Sequence, residues 1–544
     1  MQGLFRPFVA VSFALFSIIA VSAGCGPTDS GPGGAEPPSG ASGNSSSSKS
    51  TGGNSTGGKA NSGKTGADES GSNEPLRVVV VDDPQLAAAI KKQWTAISQE
   101  PLEIRDAEPA LLDAAEPAAK LNADIVIYPT AWLGTLAERR RLVPLPEDMA
   151  SSDGFDRRNL LGLARQRECV WGQETYAVPL GSQPQLLLYR RDIFSQLNIK
   201  PPQTWDEFDA LAKRLQKRES LGALGPPEGQ PWSGSLEPTA SPDAGTQLLA
   251  RAAASVRHRS QYSTLFDFAT MDPLLTSPAI VQALEKFVEV VKASDASAKS
   301  RTAAQVRDDF FAGRAAMALT WLPTPASGAK STTEKATENP TESSTEKPSS
   351  PAGDTEDPAK LERWGVAPIP GATQMYNLRQ KLWEPRQKDE SVRVPLIGAV
   401  GRLGSVTREC KRRRSAWNFL ILLSNSDWSG GVLSQSPATG PSRRAHLDDA
   451  ARWLPPQLDG EAARQYVQVV RETQDEAGWM FVPRVPGRER YAAALDAAVV
   501  AALAGEKSPL DALTAASAEW QKITDELGRA EQRAAYRRCL GLEK

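Results

Sequence analysis

The sequence predicts an α/β protein built in two lobes. Three features carry that prediction: the β-branched run Leu76 to Val81 (LRVVVV) followed by helical residues Gln85 to Ile97; a strand, loop, strand and helix packed between Trp171 and Arg218; and a chain of 544 residues, 40% of them hydrophobic. A nearly continuous apolar strand feeding a helix is the pattern of a sheet covered on both faces. A chain of this length exceeds one ordinary domain and can bury a sizeable core, so two lobes are expected.

From the N-terminus, Arg6 supplies a positive charge and Phe8 to Val21 is apolar but too short to cross a bilayer, so residues 1–24 read as a secretion signal. The run Ser22-Ala23-Gly24-Cys25 resembles a bacterial lipobox with serine in place of the usual leucine. Lipidation of Cys25 is expected, the alternative being ordinary signal-peptidase cleavage near Gly24. Residues 26–75 contain no Val, Ile, Leu, Met or aromatic residue, so they cannot bury a core and read, with Cys25, as a disordered tether (25–75). Fifty such residues span on the order of 40 Å.

The next strands are expected at Leu102 to Arg105 and Ala123 to Tyr128, then at Tyr176 to Pro179 and Gln185 to Tyr189 on either side of the polar loop Gly181 to Pro184. Thr204 with Glu207 three residues on is a capping box, and Trp205, Phe208, Leu211, Ala212 and Leu215 put one helix face in the core. Gly225 to Thr246, rich in Pro, Gly and Ser around Trp232, reads as a long surface loop. Ser277-Pro278 and Ser508-Pro509 open two further core helices, and Ala315 to Thr320 is a strand. Residues 323–360 lack every large apolar residue and read as a disordered Ser/Thr/Glu/Pro-rich insertion.

The formal net charge of -2 leaves no footprint for nucleic acid, and the basic run Lys411 to Arg414 is too short to change that. Beyond Cys25 only Cys169, Cys410 and Cys539 remain, allowing one disulfide at most with the pair left open. With His258 and His446 the only histidines, no metal site is expected.

The order Y-A-V-P-L, polar loop, L-L-Y-R-R-D-I-F, P-P, T-W-D-E-F (Tyr176 to Phe208) resembles the extracellular solute-binding proteins of sugar-type ABC transporters, family 1, the group that includes maltose-binding proteins. Asp124 to Pro146, Phe310 to Trp321, Trp364 to Pro370, Ser415 to Ser424 and Tyr491 to Ile523 fit the same template in the same order. The resemblance implies a two-lobed periplasmic-binding-protein fold of type II, with hinge-connected lobes and a ligand cleft between them. It implies crossings near Gly181 to Pro184, Trp321 to Pro323 and Gly398 to Gly404. Lobe one would comprise 76–182 and 361–400, and lobe two 183–322 and 401–544 with the C-terminal helices.

Sugar sites combine aromatic faces with a few polar groups in a cleft. Trp132, with Tyr128 and Thr130, follows the strand Ile125 to Tyr128 at the end where α/β sheets place ligands. The resemblance adds Ser182 and Gln183 beside the hinge, Trp321 at the end of its strand, and Arg443 or Arg444 in the run Pro437 to Arg444; Trp232, in its long loop, is a further candidate. Each has an ordinary packing or turn role as its alternative. Pro483 to Pro486 (PRVP) keeps the turn before an aromatic platform, but Tyr491 is followed by Ala492, so half of a maltose-type platform is missing.

The function implied is capture of a small solute, most plausibly a carbohydrate, by hinge closure and delivery to an ABC transporter permease. The protein would be an exported monomer held on the cell membrane by its lipid, at the periplasmic or extracellular face. No cofactor, metal or nucleic acid is called for. The competing readings are a surface sensor or adaptor on a degenerate binding-protein fold, and an exported glycosidase using two carboxylates. No nucleophile elbow, P-loop or H-E-x-x-H motif occurs, so an enzyme is not expected.

Overall fold

A computed structural model describes residues 74–113, 120–294, 299–322, 363–458 and 460–544. The secretion signal, Cys25, the tether up to residue 73 and the insertion 323–360 lie outside the described residues. The first apolar run is strand β1 (Leu76–Val81), and helix α1 (Pro84–Ile97) follows, its first turn capped by the Asp83 carboxylate accepting from the Leu86 N–H at 3.0 Å. β2 (Leu102–Ala107) and β3 (Ile125–Pro129) pair in parallel with the two edges of β1. A short helix α2 (Leu133–Glu138) leads away from β3, and β4 (Val178–Gly181) returns to the same sheet. β4 stops at Gly181, whose φ of +113° and whose close approach to the Gly440 carbonyl leave no space for a side chain.

Residues 182–185 carry the chain out of this first sheet and into a second. There, β5 (Leu186–Arg190) is followed by α3 (Trp205–Leu215), whose Thr204–Glu207 capping box is formed as the sequence predicts. Next come β6 (Ser233–Leu236), α4 (Ala244–Val256), α5 (Pro278–Ala293), β7 (Ala315–Thr320) and β8 (Trp364–Pro368). The second sheet has the order β8-β5-β7-β6.

The chain passes through β9 (Leu396–Ile397) to β10 (Arg402–Val406), which inserts between β3 and β4. Helix α6 (Arg413–Ser424) covers β10 and β4, whereas α7 (Gly460–Asp475) packs on β8 of the second sheet. β11 (Met480–Phe481) pairs with β9, and α8 (Arg488–Ala504), α9 (Pro509–Glu526) and α10 (Arg529–Cys539) close the chain. α8 packs on α4, α5 and α9 to form a helical layer. Arg251 of α4 joins this layer to the second lobe through ion pairs to Asp209 and Glu237, each at 2.8 Å and all three buried.

Three expectations are corrected here. β7 and β8 both flank β5, so the strands either side of the insertion share one sheet instead of lying in different lobes. For the same reason 361–400 does not belong wholly to lobe one, since β8 is hydrogen-bonded into the second sheet; nor does 401–544 belong wholly to lobe two, since β10 completes the first. Finally, Gly225 to Thr246 is not all surface loop. Ser233–Leu236 pairs in parallel with β7, and Trp232 is buried, donating its indole N–H to the Leu215 carbonyl at 2.9 Å. Small Ser and Gly residues gave this strand no apolar signature. Trp232→Ala is therefore expected to cost about 3–5 kcal/mol of stability in urea denaturation, the range for emptying a buried tryptophan site.

Candidate functional site

Between the two lobes, Ala164–Glu168 forms a single π-helical turn closed by the Cys169 N–H on the Ala164 carbonyl at 3.4 Å. Its consecutive side chains Arg167 and Glu168 line two different cavities. The β9–β11 ribbon divides them, Ile397 facing one and its partner Phe481 the other.

The first cavity sits at the crossing and is lined by Glu168, Ser182, Gln183, Gln185 and the segment Leu396–Val400. The polar side chains at the crossing, Ser182 and Gln183, are already engaged. Ser182 Oγ donates to Glu168 Oε2 at 2.8 Å, Gln183 Nε2 donates to the Thr439 carbonyl at 3.0 Å, and Gln183 Oε1 accepts from the Tyr466 hydroxyl at 3.0 Å. At about 40 Å³ it has room for a few waters but not for a sugar.

The second cavity measures about 290 Å³, near the lower end of the range of roughly 300–1,000 Å³ for small-molecule sites. Arg167 comes from the first-lobe turn, Arg257 and Tyr262–Phe266 from the segment after α4, and Trp479–Val485 from the β11 segment. Tyr536 and Cys539–Leu542, from α10 and the residues after it, close the wall. Trp479 and Phe481 meet edge to face at 5.0 Å. The Arg167 guanidinium lies 4.8 Å from the Trp479 ring centre, and Arg484 lies 4.0 Å from that of Phe481. Aromatic faces beside polar donors are what a pyranose requires.

Of the residues singled out in the sequence, only Ser182 and Gln183 line either cavity. Trp132 lies one layer behind the second one, 2% exposed with the Arg488 guanidinium 5.1 Å from its ring, while Gly134 lets the Arg484 carbonyl approach. Tyr128 is fully buried; Ser405 Oγ is 2.7 Å from its hydroxyl and donates to the Tyr176 carbonyl, leaving Tyr128 as donor to Ser405. Thr130 and Trp321 are buried and line neither of these two cavities. Arg443 spends its guanidinium on the carbonyls of Ser424, Phe155 and Asp156, a loop brace rather than a cleft residue. Tyr491 backs Phe266 edge-on at 5.3 Å and bonds Thr524 at 2.9 Å. Arg167, Arg257, Tyr262 and Trp479 had no periodic or motif signal; only Arg484, inside the PRVP turn, stood in a stretch that the sequence marked.

Residues 111–373 match the family described as bacterial extracellular solute-binding protein. This is the family that the sequence resembles. Among solved structures, a solute-binding protein from Agrobacterium radiobacter in complex with ribitol is 17% identical over 82% of this chain and 98% of its own, with a TM-score of 0.55. Maltose-bound MalE3 of T. maritima is 18% identical over 82% and 100%, at 0.54, and the sugar-binding MalE of Xanthomonas citri is 15% identical over 84% and 98%, at 0.57. These likenesses bear out the two-lobed binding-protein fold.

Burial pushes the Glu168 carboxyl from 4.5 up to about 6, with the Ser182 bond and the Arg484 charge opposing. The folded protein therefore holds more protons than the unfolded chain between those values, and this group's contribution to stability is lost as pH rises through about 4.5–6. Glu168→Gln is expected to flatten that part of the profile and to raise stability at pH 7.5 by up to about 2 kcal/mol over wild type, measured by urea denaturation at pH 4.5, 6 and 7.5.

Proposed function

We propose that the protein is an exported solute-binding component that takes a small carbohydrate into the 290 Å³ interlobe cavity and presents it to an ABC transporter permease. One observation carries the reading: a cavity with aromatic faces and guanidinium donors is bounded by the first-lobe turn on one side and by second-lobe segments on the other. Only a ligand touching both can favour the closed arrangement over an open one. Lipidation at Cys25, with the tether holding the lobes clear of the membrane, is part of the same proposal. Relatives of this family act as binding proteins, and no step here requires bond cleavage.

Binding should quench or shift tryptophan emission, because Trp479 lines the cavity. Titration with a sugar panel is expected to give a saturable change that Trp479→Phe diminishes, and Trp479→Ala is expected to weaken binding about ten-fold, the scale of one lost aromatic contact. A full response retained in Trp479→Phe, with unchanged affinity in Trp479→Ala, would exclude this cavity.

A second reading, a surface sensor that stays closed, is favoured by helix α10. Arg538 donates to both Glu138 carboxylate oxygens of α2 at 2.6 Å, while the Tyr536 hydroxyl meets Thr264 Oγ1 at 3.1 Å, so one helix joins α2 of the first lobe to the segment after α4. Solution scattering separates the readings. Transport predicts compaction with ligand; a closed sensor predicts an unchanged wild-type profile and expansion only in Arg538→Ala.

A further inference from the structure

The second cavity is lined by three guanidiniums and by no carboxylate. Arg167, Arg257 and Arg484 line it, no aspartate or glutamate does, and none of the three makes an ion pair among the described residues. Arg484 is 1% exposed and donates to the carbonyls of Arg167 and Glu168, yet its Nε is buried without a partner. Arg257 spends one nitrogen on the Gln261 carbonyl. The acid nearest in sequence, Glu168, faces the other cavity and is bonded to Ser182. The remaining ionisable wall groups supply no negative charge: burial pushes the Cys539 thiol up to about 11 and raises the Tyr536 phenol.

Gathering three guanidiniums, one buried and two half-buried, around a space with no carboxylate in its lining is unfavourable, and an anion entering that space relieves it. Guanidinium forks match the two oxygens of a carboxylate or phosphate. Trp479 is approached by both Arg167, at 4.8 Å, and Arg257, at 6.0 Å, so ring face and charge are offered together. We propose that the ligand of this cavity is a sugar bearing an oxyanion, a uronate or a sugar phosphate, with its ring against Trp479 and its anionic group between Arg167 and Arg257. This rests on the solute-binding reading above and specifies its substrate class.

Calorimetry on the purified full-length chain would compare galacturonate, glucuronate and glucose 6-phosphate with galactose, glucose and inorganic phosphate. The expected result is an acidic sugar bound at least ten-fold tighter than its neutral parent, with affinity falling as salt rises; the uronate and phosphate arms identify the anionic group. Arg257→Gln should cost the acidic sugar at least ten-fold more affinity than it costs the neutral parent, and Arg257→Lys should recover part of that difference, a pattern that misfolding would not produce. Neutral sugars bound as tightly as their acids would overturn the anionic assignment and leave the solute-binding reading standing. Inorganic phosphate bound as tightly as every sugar would overturn the sugar part. No binding by any member, neutral or acidic, would overturn both.

Discussion

The arrangement depends on Arg484. Its guanidinium, fully out of water, donates to the carbonyls of Arg167 at 3.4 Å and Glu168 at 2.8 Å and lies over Phe481. That contact fixes the segment after β11 to the π-helical turn of the first lobe. A π-turn carries one more residue than an α-turn, and the extra residue rotates the side chains that follow. Arg167 is thereby delivered to the larger cavity and Glu168 to the smaller one. Burial pulls the Arg484 charge toward the neutral form, so its carbonyl bonds and the face of Phe481 are what keep the cation in place.

Around that contact the molecule separates support from contact surface. Tyr491 and Trp520 form a layer behind the cavity: Phe266, which lines it, stacks on Trp520 at 4.7 Å and meets Tyr491 edge-on. Tryptophan and tyrosine with bonded polar ends make a stiff backing, since two torsions and one hydrogen bond fix each ring. Helix α10 closes one side of the cavity through Tyr536 and Cys539, tied to Glu138 of α2 and to Thr264 of the cavity wall.

Much of the scaffold was legible in the sequence because local chemistry decides it. The β-branched run at Leu76, the Thr204–Glu207 box and the Ser508 cap each specify an element without help from distant residues. What failed was decided by pairing across the chain. Ser233–Leu236 has little apolar character and becomes a strand only because β7 offers an edge. Trp364–Pro368 reads equally well as a strand of either lobe until its register with β5 is known. The site was harder still. Aromatic residues at strand ends looked like ligand platforms, yet Trp132 and Trp321 are packed away. The cavity is lined instead by side chains from four distant stretches whose convergence no spacing records.

The most direct test is hydrogen exchange read by mass spectrometry, with and without saturating carbohydrate drawn from neutral and acidic sugars. If the interlobe cavity is the binding site, protection rises together in Arg257–Phe266, Trp479–Val485 and Tyr536–Leu542, three stretches that all contribute to its lining. Protection confined to the segments around Trp132 or Trp321, or none with any sugar, would contradict it.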